Sequence, residues 1–71
     1  MTNAAETLQA VLRAEMTRQG ISYGALAFTV RMDRSNLYGA LNTATNPTIG
    51  TMARIAEGLN RRIVYRLEVS K

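Results

Sequence analysis

Apolar residues recur at helical spacing through most of the chain and at strand spacing near its C-terminal end. Leu8, Val11, Leu12 and Met16 share one face of a helix predicted over residues 4–19. Asn3 and Glu6 have capping-box spacing at its start, and Gly20 suits its C-terminal cap. Ser22 is a good N-cap for a short helix over 23–30 that turns Leu26, Ala27 and Val30 inward. After the tight turn "RMD", Asp33 caps a helix over 34–41 with Leu37, Ala40 and Leu41 on its apolar side. "NTATNPT", residues 42–48, is loop by composition and holds the only proline, Pro47. Thr48 then caps a helix over 49–59, with Ile49, Met52, Ile55, Ala56 and Leu59 as its inner row. Beyond it the period changes. Ile63, Tyr65, Leu67 and Val69 alternate with Val64, Arg66, Glu68 and Ser70, the pattern of a strand. The expectation is an all-α domain over 1–60 and a C-terminal β-strand over 61–71, with no internal repeat.

Composition narrows the chemistry. Seventy-one residues support one core, near the lower limit for a domain without staples. Cysteine and histidine are both absent, which removes disulfides, thiolate metal sites and the commonest general base. Five scattered acids form no evident catalytic pair, so neither an enzyme, a metal nor a cofactor is expected. No apolar run approaches the roughly 20 residues of a membrane span, and the acid-bearing N-terminus does not read as a secretion signal. A cytoplasmic location fits.

Charge adds a direction. Residues 1–30 are neutral, with Arg13 and Arg18 against Glu6 and Glu15. Residues 31–71 set seven cations against three acids and so carry the whole excess of +4. Eight of the nine cations are arginine, whose planar fork suits phosphates and guanine edges; charge for solubility is the plainer alternative.

The second and third helices are short and joined by about three residues, the layout of a helix-turn-helix whose second helix enters a major groove. "DRSNLYGAL", residues 33–41, offers what such a helix needs: Arg34, Ser35 and Asn36 outward in the first turn, and Leu37, Ala40 and Leu41 behind. Arg34 is the leading candidate for a two-pronged contact to a guanine edge. Backbone amides at the starts of both helices, beside Ser22 and Asp33, can hold phosphates.

From Ser22 to Leu59, "SYGALAFTVRMDRSNLYGALNTATNPTIGTMARIAEGL" resembles the Cro/CI-type (XRE) helix-turn-helix domain. The marks are Ala25-Leu26-Ala27, Leu37, and Asn46-Pro47-Thr48 leading into Thr51 and Ile55. "RSNLYGAL…NPT…T" is similar to a branch of small phage-type regulators and addiction-module antidotes. The resemblance implies a lambda-repressor-like domain of four to five helices, a homodimer and double-stranded DNA as partner. It puts Arg34, Ser35 and Tyr38 toward the major groove, and Asn36 near bases or backbone. It puts Tyr23 on a phosphate, and Asn42, Thr43 and Thr45 along the sugar-phosphate backbone. Two alternatives stay open: Tyr38 as packing beside the second helix, and Asn42 as a plain helix stop.

Two positions depart from the family pattern. Arg31 stands where the turn usually has glycine, at a cost of about 1 kcal/mol if left-handed, unless a phosphate contact justifies it. Gly39 stands where many relatives have a long base-reading side chain. Gly24, Gly39, Gly50 and Gly58 fall inside predicted helices and should weaken so small a domain, which favours support from a second subunit. Ile63, Tyr65, Leu67 and Val69 would then pair with a second copy across a two-fold axis. The functional expectation is a dimeric repressor of its own phage or mobile-element operon, for example of the type that accompanies anti-CRISPR genes. The alternative is an antitoxin that holds a toxin and regulates itself.

Overall fold

The computed structural model describes residues 4–64, and side chains from residue 7 onward. Four helices follow in order: α1 (Ala4–Gln19), α2 (Tyr23–Val30), α3 (Arg34–Asn42) and α4 (Ile49–Gly58). No strand occurs among the described residues, and the fold there is all-helical. Residues 61–64 are without regular structure, and Tyr65, Leu67 and Val69 of the expected strand lie outside the described residues. So does Asn3 of the expected capping box.

The helix starts are set locally. Ser22 Oγ accepts from the Ala25 amide at 3.1 Å, the Asp33 carboxylate from the Ser35 amide at 3.0 Å, and Thr48 Oγ1 from the Thr51 amide at 3.1 Å. Three ends use a left-handed residue. Gly20 (φ 68°) closes α1, with the Ile21 amide donating to the Met16 carbonyl at 3.0 Å. Arg31 (φ 58°, ψ 48°) and Asn60 (φ 58°) close α2 and α4 in the same way. The turn between α2 and α3 thus has an arginine in the left-handed region.

α2 packs against α3 and α4, and α1 closes over α3 and α4. The core joins Leu12 and Met16 of α1, Leu26, Ala27 and Val30 of α2, Leu37 and Leu41 of α3, and Met52, Ile55 and Ala56 of α4, with Leu59 just beyond it. Two expected core residues are outside. Ile49 is 65 % exposed, because side chains lean toward a helix N-terminus and its own points off the end of α4. Val11 is 56 % exposed, because the inner face of α1 runs through Gln9, Leu12 and Met16 instead.

Gln9 is 5 % exposed, and its amide nitrogen uses both protons, donating to the carbonyls of Ala40 (2.7 Å) and Ala44 (2.9 Å). Arg13 donates to the Leu41 carbonyl at 2.5 Å, so α1 seals the C-terminal end of α3. Arg54 does the same for α2, donating to the carbonyls of Val30 (2.7 Å) and Arg31 (3.1 Å), and Gln19 caps Leu59 at 2.8 Å. These bonds meet carbonyls that a helix leaves unpaired at its end.

Candidate nucleic-acid interface

With their C-terminal ends sealed inside, α2 and α3 present their N-terminal ends together to solvent. A shallow cleft of about 600 Å³ lies between those ends, lined by Ser22, Tyr23, Gly24, Arg34, Ser35 and Tyr38. The lining holds one guanidinium, hydroxyls and backbone, and no carboxylate. A β-carbon at position 24 would sit 3.9 Å from Arg34 Cδ, so the Arg34 stem passes over the first turn of α2. The peptide dipole of α2 adds to the Arg34 charge, while at the start of α3 the capping Asp33 carboxylate meets the dipole.

Arg34, Ser35 and Asn36 are exposed, and their side chains make no hydrogen bond within the described residues. Tyr38 is 50 % exposed; its ring packs on Tyr23 with centroids 5.1 Å apart and planes tilted by 54°. Tyr38 thus packs beside the second helix, as one of the two open alternatives had it, and also lines the cleft. Asn42 is the last residue of α3, and its side-chain nitrogen donates to the Tyr23 hydroxyl (2.9 Å) and the Tyr38 carbonyl (3.0 Å). Thr43 Oγ1 donates back to the Gly39 carbonyl at 3.2 Å, and Thr45 is exposed in the loop. Ser22 combines its capping role with a place in the cleft wall.

The cations divide into two sets. Arg13 and Arg54 hold helix ends. Arg18 and Arg61 hold Glu15, at 2.5 and 2.9 Å. Arg31, Arg34 and Arg62 are exposed, with side chains that make no hydrogen bond or ion pair among the described residues. The charge excess of the second half is thus partly structural, and Arg31 and Arg34 are its free members at the turn and the cleft. Sequence reasoning missed Gln9, Arg13 and Arg54 as clamps, because a solitary polar residue on a helix gives no sign of a distant carbonyl.

Among the described residues no three acidic, histidine or cysteine side chains gather closely enough to hold a metal ion. No helix there is long and apolar enough to cross a membrane. No family model, curated protein or solved structure matches the chain. The candidate interface therefore stands on its geometry: a donor-rich edge made from the first turns of two packed helices, with the Arg34 guanidinium in the cleft and the Asp33 carboxylate held at the α3 cap. Such an edge is chemically matched to a surface of anionic and neutral acceptors.

Proposed function

We propose that this protein is a sequence-specific DNA-binding regulator in which α2 and α3 form a helix-turn-helix and α3 enters the major groove. The observation that carries this reading is the free polar first turn of α3, Arg34-Ser35-Asn36, beside the open start of α2 on a framework that seals the opposite helix ends. Arg34, Ser35, Asn36 and Tyr38 read base edges in this arrangement. Ser22, Tyr23 and Arg31 meet phosphates, with Thr43 and Thr45 at the following loop. The left-handed Arg31 offers its charge at the turn, which gives a non-glycine residue a reason to be there.

The lambda-repressor-like resemblance of residues 22–59 supports the same docking. The protein would act in the cytoplasm as a homodimeric repressor joined through residues 61–71, on an inverted repeat in the promoter of its own phage or mobile-element operon. The two copies of α3 would enter major grooves about 34 Å apart. One observation suits the antitoxin reading instead: Phe28 is 86 % exposed on α2, a helix without a charged residue.

Selection of preferred duplexes from a random pool, followed by salt titration of the winner, separates the readings. An enriched inverted repeat whose affinity falls steeply with salt supports the repressor. A pool without enrichment overturns sequence-specific reading and moves attention to a protein partner at Phe28.

A further inference from the structure

Asn42 places one side-chain nitrogen between two oxygens, the Tyr38 carbonyl at 3.0 Å and the Tyr23 hydroxyl at 2.9 Å. A carbonyl only accepts, so this atom must be the amide NH2, and the phenol oxygen accepts its second proton. The phenol has one proton of its own, and no group among the described residues accepts it. The Tyr23 ring cannot swing freely to find an acceptor, because it packs against Tyr38 with centroids 5.1 Å apart. Its hydroxyl is therefore held with its acceptor side used and its proton facing no protein acceptor among the described residues, in the wall of a cleft that contains a guanidinium and no carboxylate.

Resting on the DNA-binding reading above, we propose that Asn42 is a positioning residue that sets the Tyr23 hydroxyl as a dedicated donor to a phosphate oxygen of the duplex. A phosphate oxygen only accepts, so it complements a hydroxyl whose acceptor role is already filled. Asn42 acts through Tyr23 and does not itself touch the nucleic acid. The contact is blind to sequence, since every nucleotide offers the same oxygen.

The experiment measures affinity for the selected duplex and for an unrelated one, with Tyr23→Phe, Asn42→Ala, Asn42→Asp and the Tyr23→Phe/Asn42→Ala pair. Tyr23→Phe should weaken both duplexes by a similar factor of about tenfold. Asn42→Ala should do much the same, and the pair should lose little more than either alone. Asn42→Asp should be worse than Asn42→Ala, because a carboxylate there would accept the phenol's hydrogen bond in place of the phosphate and add a negative charge. Single losses that multiply in the pair would overturn the proposal, since Asn42 would then act independently of Tyr23. Nuclear magnetic resonance of the free protein gives a readout that needs no DNA: Tyr23→Phe should shift the Asn42 side-chain amide resonances. Unmoved resonances would defeat the positioning role even if DNA binds. Wild-type protein that binds no duplex, with the resonances shifted, would defeat the phosphate partner and the DNA reading together.

Discussion

A β-carbon at position 58 would stand 2.4 Å from Val30 Cγ1 and 3.0 Å from Leu26 Cδ1. Gly58 is thus the point where α4 approaches α2, and the missing side chain is what allows the contact. Overpacking at such a point costs about 1–3 kcal/mol, against a helix-propensity gain of up to about 1 kcal/mol. Gly58→Ala should therefore lower stability in urea denaturation. Gly50 has open space around its would-be β-carbon, so Gly50→Ala should raise stability by up to about 1 kcal/mol in the same assay. The two substitutions are identical on paper and opposite in sign, because a sequence shows a glycine in a helix but not what lies across from it. Arg34 calls for a different measurement. Arg34→Ala should cost about 1–3 kcal/mol on the selected operator while leaving an unrelated duplex nearly unchanged. Equal losses on both duplexes would make Arg34 a phosphate contact instead of a base reader.

Helix starts and helix ends differ in how much a reader of the sequence can see. Ser22, Asp33 and Thr48 bond amides two or three residues along the chain, so a local pattern reveals them. Gln9, Arg13, Gln19 and Arg54 bond carbonyls 23 to 40 residues away, and only the packing brings them together. The same reason explains the exchange of Val11 for Gln9 on the inner face of α1. Apolar periodicity treats a glutamine as surface, whereas the exposed carbonyls at the end of α3 require a buried donor. The candidate recognition turn was legible because its residues are contiguous; the Asn42–Tyr23 bond, spanning 19 positions, was not. Glu15 is another long-range junction, joining α1 to the segment after α4. Hydrogen bonds from Arg18, Gln19 and Arg61 hold its carboxyl well below the ordinary 4.5. A depressed folded-state pKa means the contribution is complete above the unfolded value and is lost as pH falls through the folded one. The domain should therefore lose stability as pH drops below about 4.5, the ordinary value for this group. Glu15→Gln should flatten that part of the profile in denaturation at a series of pH values. An unchanged acid profile would mean that other carboxylates control the transition.

At the scale of the molecule, polarity is segregated by helix end: clamps close the carbonyl ends, while the amide ends of α2 and α3 share one face. That segregation suits a rigid reading head, and a second copy would supply the symmetry that an inverted repeat demands. Ile63 is half-buried against the core, so it belongs to the helical body and also begins the apolar alternation that continues through Tyr65, Leu67 and Val69. A chain ending at Val64 therefore keeps its core residues and loses most of the proposed dimerisation strand. In sedimentation that chain should be monomeric at concentrations where the full chain is dimeric. Its affinity for an inverted repeat should collapse toward that for a single half-site, because the second half-site no longer binds at high effective concentration. Fewer phosphates would be contacted at once, so the slope of log affinity against log salt should fall by about half. A dimer that survives removal of residues 65–71 would shift the interface onto the helical body, where the exposed Val11 and Val64 line a shallow groove together with Leu8, Leu12, Ala56 and Ile63. Substituting those two with serine in the shortened chain would then distinguish a second interface from simple aggregation: a specific dimer should dissociate while the helical signal and the urea transition remain.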